Sequence, residues 1–131
     1  MECIFCSIVK KQSFANIYKE NDCCIAIVPK DIEIDGHLLI IPKQHYQSII
    51  DIDNKILSET IIFTKNICIE LKEKYLFQGF NMLNANGIAA QQSVSHFHIH
   101  ILPRNKGDNI NAWPKLHGGI NIYKKIINNG D

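Results

Sequence analysis

Three histidines alternate with bulky apolar residues in the stretch Ser93-Val94-Ser95-His96-Phe97-His98-Ile99-His100-Ile101-Leu102-Pro103-Arg104. Imidazole can move a proton, attack an electrophile or bind a metal near neutral pH. The period of two belongs to a β-strand with distinct faces. A strand over Ser93–Arg104 sends His96, His98 and His100 to one side and Phe97, Ile99 and Ile101 to the other. Half of the chain's six histidines therefore share a surface that a purely structural strand fills with Thr, Val or Lys. Three readings compete. One is a half-exposed strand whose histidines alternate without chemical purpose. A second is a metal site, because i, i+2 imidazoles can chelate one ion. A single ion holding all three is disfavoured, since His96 and His100 stand roughly 13 Å apart on a straight strand. The third is nucleophilic imidazole chemistry, with His98 flanked by two helpers.

Cysteine supplies the second chemical signal. Cys3-x-x-Cys6 by itself is open between a metal half-site, a redox pair and coincidence. A thioredoxin-like reading fails because no strand precedes the pair and no βαβ pattern surrounds it. The five cysteines are an odd number, and nothing directs the chain to an oxidising compartment, so no disulfide framework is expected. Cys23, Cys24 and Cys68 read as small buried residues.

The elements that must position these groups follow from periodicity. Ser7–Lys11 reads as a short helix after Cys3-Ile4-Phe5-Cys6. Ile17-Tyr18 and Cys24–Val28 flank a hairpin turn at Glu20-Asn21-Asp22. Asp35-Gly36 is a turn signal before His37–Ile41, which is too continuously apolar for an exposed strand. From about Asp53 to Tyr75 the apolar residues keep helical spacing, with Asp51 or Asp53 as N-cap. Gly79–Asn84 reads as a strand, and the loop Ala85–Gln92 leads into the histidine strand. Hairpin, strand, long helix and two more strands predict an α+β domain, an antiparallel sheet of about five strands with the helix packed on one face.

Length and charge narrow the function classes. The 131 residues suit one domain, 1–131, with its core at about 3–104 and a tail at 105–131 whose end, Asn121–Asp131, is polar enough to fray. Fourteen basic residues face 13 acidic ones, so no electrostatic footprint for nucleic acid or an anionic membrane exists. No apolar run reaches bilayer length, and Met1-Glu2-Cys3 opens no signal peptide. A soluble cytoplasmic protein is expected.

Three blocks together resemble the histidine triad (HIT) family of nucleotide hydrolases and transferases. They are His96-Phe97-His98-Ile99-His100-Ile101-Leu102, the run Asn84–Val94, and Gly36-His37-Leu38-Leu39-Ile40-Ile41-Pro42-Lys43-Gln44-His45. The resemblance implies the HIT fold and a homodimer joined through the long helix and an edge strand. It implies that His98 attacks the α-phosphate of a purine nucleotide and forms a covalent nucleotidyl-histidine that water hydrolyses. His100 and His37 then match groups lining the phosphate, and Ser93 matches the hydroxyl that assists leaving-group protonation. Asn84 and Gln92 fall on nucleotide-binding positions, and Gly87 permits a tight loop beside the nucleotide. His100 favours hydrolysis, because transferase members carry Gln there. Some bacterial-type members bind structural zinc through positions that here are Cys3, Cys6, His45 and His96, a closed tetrahedral set with no catalytic metal required.

Two departures bear on substrate. The family's ribose-binding Asp, eight residues before His37, is Pro29 here, and Asp31 substitutes only if the loop shifts. Gln91 replaces the usual Gly of Ala-Gly-Gln. The leading expectation is release of a nucleoside 5′-monophosphate, AMP, from an amine or another leaving group. A dinucleoside polyphosphate hydrolase and a nucleotide-binding module with little catalysis are the alternatives. Trp113 and His117 are further candidates for leaving-group contact, as the tail of related proteins reaches the partner's site.

Overall fold

The computed structural model describes residues 3–113, 116 and 122–129. The chain runs α1 (Ile4–Val9), β1 (Asn16–Glu20), β2 (Cys24–Val28), β3 (Leu38–Pro42), α2 (Asn54–Tyr75), β4 (Gly79–Leu83), β5 (Ile99–Arg104) and α3 (Tyr123–Asn129). The strands form one sheet in the order β1-β2-β3-β5-β4. Every pairing is antiparallel. This is the expected α+β architecture.

Local chemistry explains the boundaries. Asn21 Oδ1 accepts from the backbone N–H of Cys23 and of Cys24, at 2.9 and 2.7 Å, closing the β1–β2 turn. Asp53 caps α2, its carboxylate accepting from Lys55 N and Ile56 N at 3.1 and 3.2 Å. Lys72 and Lys74 complement the other end of that helix. Gly36 has φ +80°, and a Cβ there would meet Pro103 Cγ at 2.8 Å, so both backbone angle and space call for glycine.

The sheet is buried on both faces at its centre. One face carries Ala26, Leu38, Ile40, Phe97, Ile99 and Ile101, packed against Phe63, Ile67 and Leu71 of α2. The other carries Ile25, Ile27, Leu39 and Ile41, covered by Phe5 and Ile8 of α1. Every residue of β3 is buried, which accounts for its unbroken apolar run.

Two boundaries and one additional helix depart from the sequence expectation. The first helix is Ile4–Val9 rather than Ser7–Lys11, because the Cys3 sulfur caps it by accepting from Cys6 N at 3.4 Å. The histidine strand begins at Ile99, not Ser93. Upstream the backbone leaves the ladder: His96 N bonds Val94 O at 2.8 Å and Phe97 N bonds Tyr46 O at 2.7 Å. A helix, α3, also forms within the stretch expected to fray. Among the described residues, no helix is long and apolar enough to cross a membrane.

Candidate active site

His98 and His100 still emerge on the α1 side of the sheet, opposite Phe97, Ile99 and Ile101, although only His100 lies within β5. Their proton positions follow from partners that can only donate or only accept. His98 Nδ1 lies 2.8 Å from the backbone oxygen of His96, so Nδ1 carries the proton and Nε2 keeps its lone pair. His98 is 3 % exposed, and burial pushes its imidazolium form down, favouring the neutral ring.

A second chain of bonds orders His37 and His100. The backbone N–H of Glu33 donates to His37 Nδ1 at 3.2 Å, placing the His37 proton on Nε2. His37 Nε2 then donates to His100 Nδ1 at 3.0 Å, which leaves His100 Nε2–H free to donate. Burial, then the neighbouring His98 and His37, pushes the His100 pKa down to about 4. Burial also lowers His37, against the opposing pull of Glu33. The His98 and His100 ring centres are 5.1 Å apart. A neutral nitrogen nucleophile and an N–H donor therefore stand side by side, the combination that attack on a phosphoryl centre requires.

The loop ahead of β5 is tied by its own amides. Asn84 Nδ2 donates to the His98 carbonyl at 2.8 Å, and Asn84 Oδ1 accepts from Asn86 at 2.6 Å. Gln92 Oε1 accepts from Gly87 N at 2.7 Å, while its Nε2 donates to Gln47 O and Val94 O. The Gln92 amide thus braces the loop. Gly87 has φ +93°, a turn only glycine adopts freely. Gln91 holds a left-handed φ of 66° with a full side chain. Ser93 is exposed in the same loop.

A cavity of about 830 Å³ opens on this face, lined in part by His37, His100, Asn84 and Gln91. Glu33 and Asp35 also reach it. The sequence reading missed both, having taken Asp35-Gly36 only as a turn. Neither Pro29, which is buried, nor Asp31 is among the residues that line the cavity. Trp113 is 77 % exposed. His117 lies outside the described residues.

The four proposed metal donors converge. Cys3, Cys6, His45 and His96 offer atoms that all lie within 4.8 Å of one another. Cys3 Sγ is 3.3 Å from His96 Nδ1, and Cys6 Sγ is 3.3 Å from His45 Nδ1 and 3.5 Å from His96 Nδ1. The two Nδ1 atoms are 3.1 Å apart. A tetrahedral zinc with two sulfur and two nitrogen ligands has edges of roughly 3.3–3.8 Å, so the sulfur–nitrogen spacings fit, and the two Nδ1 atoms stand slightly closer than such an ion would hold them. Tautomer chemistry agrees, because His96 Nε2–H donates to Pro42 O at 2.8 Å, aiming the Nδ1 lone pair at the cluster. Burial and the neighbouring Cys3 raise the Cys6 pKa, so a cation is what would hold the Cys6 sulfur as a thiolate.

Comparison with known proteins places this arrangement. A family model described as the HIT domain matches residues 10–107. An uncharacterized HIT-like protein of Methanocaldococcus jannaschii is 35% identical over 106 residues, 81% of each chain. The adenylylsulfatase HINT3 of Arabidopsis thaliana is 33% identical over 107 residues, 82% of this chain and 54% of that one. A zinc-bound histidine triad family protein from Mycobacterium smegmatis superposes with a TM-score of 0.81 at 29% identity, covering 86% of this chain and 81% of that chain. The paired thiols and imidazoles, the alternating histidines and the matched domain lead to one conclusion: the chain belongs to the HIT family of nucleotide-binding hydrolases and transferases.

Proposed function

We propose that this protein hydrolyses the bond between a nucleoside 5′-monophosphate, AMP in the first instance, and an amine leaving group. The observation that carries the reading is the protonation pattern: Nε2 of His98 unprotonated, Nε2–H of His100 beside it. His98 Nε2 attacks the α-phosphorus, forming a P–N bond as the bond to the leaving amine breaks. His100 Nε2–H donates to a non-bridging oxygen, with His37 holding the His100 ring in that tautomer. Ser93 passes its hydroxyl proton to the departing amine and takes a replacement from solvent. Water then attacks the same phosphorus, its proton is lost to solvent, and His98 is released with the free nucleotide. Asn84 holds the His98 backbone, while Gln92 and Gly87 shape the loop around the phosphate.

The relative named as an adenylylsulfatase supports chemistry at an adenylyl phosphate. An amine fits this chain better than sulfate. The cavity beside His100 is lined by the acidic residues Glu33 and Asp35 and, among the described residues, by no Lys or Arg. Those carboxylates also offer acceptors for ribose hydroxyls in place of an acceptor at Pro29. In the same reading, Cys3, Cys6, His45 and His96 hold a structural zinc that ties α1 to the sheet. Two chains pair through α2 and the edge strand β4.

The test is hydrolysis of an adenosine 5′-phosphoramidate bearing a fluorescent amine, against adenylyl sulfate. Faster release of the amine, lost in His98→Ala, is expected. Faster sulfate release refutes the amine assignment. No turnover by a folded, nucleotide-binding protein refutes the hydrolase.

A further inference from the structure

The nucleophile and the metal cluster share a residue's backbone. His98 Nδ1–H donates to the carbonyl of His96, and His96 Nδ1 is one corner of the four-donor set. Regular strand begins only at Ile99, so the sheet ladder does not hold that carbonyl. What holds it are the bond from His96 N to Val94 O, the bond from His96 Nε2–H to Pro42 O, and the contacts of His96 Nδ1 within the cluster. A second link runs through side chains. Phe5 sits between Cys3 and Cys6 on α1, is 6 % exposed, and presents its ring edge-on to both His96 and His98, with centres 5.8 and 5.1 Å apart.

We propose that the Cys3/Cys6/His45/His96 cluster positions the nucleophile, with His96 and Phe5 as positioning residues that hold His98 in its Nδ1–H tautomer when the cluster carries a metal. With four donors engaged, the His96 ring cannot rotate, and its carbonyl stays aimed at His98 Nδ1. The anchored thiols fix the first turn of α1, which presses Phe5 against the His98 ring. With no ion joining the donors, His96 keeps only its bonds to Val94 O and Pro42 O, and its ring, 3.1 Å from His45 across the cluster, is free to turn. That freedom passes to the His96 backbone and so to the acceptor of His98. Hydrogen-bonded partners beyond the ligands are known to orient metal-bound imidazoles; here the same coupling runs outward, from ligand to nucleophile. This inference rests on the hydrolase reading only for its kinetic readout.

The experiment compares zinc-loaded wild type, chelator-stripped wild type and zinc-loaded Phe5→Leu. Imidazole nitrogen–proton correlation spectra report the His98 tautomer, and steady-state kinetics on the phosphoramidate report turnover. Loaded wild type should show one Nδ1–H tautomer for His98. Stripping should give exchange-broadened or mixed tautomer signals, with kcat lowered at least tenfold and KM within twofold. Phe5→Leu should reproduce the change in part while retaining zinc. An unchanged His98 signature in both altered samples overturns the proposal. Should the stripped chain unfold, an unchanged signature in folded Phe5→Leu overturns it alone. A wild type without turnover removes the hydrolase reading, and the spectra still decide the coupling.

Discussion

His37 Nε2 and His100 Nδ1, 63 residues apart in the chain, lie 3.0 Å from each other. The contact passes a structural constraint from the Glu33 amide to the one ring nitrogen of His100 left free to donate. A direct donor and its support should therefore differ in weight. We expect His100→Ala to lower kcat about 10²- to 10³-fold, the range for losing a preorganised oxyanion donor. His37→Ala should lower it about tenfold, and the double variant should lose less than the product of the two. Steady-state kinetics on the four proteins measure this. Independent effects would show that the rings do not act as a pair.

Gln91 carries a backbone conformation suited to glycine, with φ at 66°. Gln91→Gly should stabilise the fold by about 0.5–1 kcal/mol, while Gln91→Ala, which keeps a Cβ at the same angle, should gain nothing. Thermal unfolding is the check, with an expected rise of roughly 2–5 °C for the glycine variant alone. Equal shifts in both variants would refute the backbone explanation.

The buried imidazoles make stability depend on pH. Folded His100 has its pKa pushed down to about 4, and His37 is lowered in the same direction. Unfolded histidine titrates near 6.5. Between those values the unfolded chain binds more protons than the folded one, so stability rises with pH. The contribution is complete above about pH 6.5 and declines as pH falls toward 4. Urea midpoints should thus drop from pH 7.5 to pH 5, and less steeply in His100→Gln. An equal slope in that variant would clear His100 of the effect.

Metal should bind at one equivalent per chain and raise the melting temperature by mass action. Cys6→Ser should weaken binding and shrink that rise, whereas Cys68→Ser, whose half-buried thiol lies outside the cluster, should not. Metal analysis and melting with and without chelator settle it. A rise that survives Cys6→Ser would place the metal elsewhere.

What the sequence shows depends on how local the cause is. The α2 helix was legible from apolar spacing and Asp53, since its cap closes within three residues. The all-apolar β3 was legible too, because a strand buried on both faces has no polar side to show. The onset of β5 was not, because long-range bonds decide it: Asn84 holds the His98 carbonyl and Tyr46 takes the Phe97 amide. The alternation of histidine with apolar residues survives that detour, so the faces were legible although the strand was shorter. Cys3-x-x-Cys6 alone left its chemistry open, and the four-donor set followed only from the family resemblance; the tautomers that aim His96 and His98 come from backbone oxygens. Phe5, which bridges both rings, carried no signal beyond being apolar between two cysteines.

Covalent nucleotidylation of His98 Nε2 is the step on which the proposed hydrolysis depends. Rapid-quench turnover of the adenosine phosphoramidate, followed by peptide mapping, tests it most directly. An adenylyl group should build up on His98 within the first turnover and decay as AMP appears, with no such group in His98→Ala. Turnover at full rate with no labelled His98, or a labelled and active His98→Ala, would contradict it.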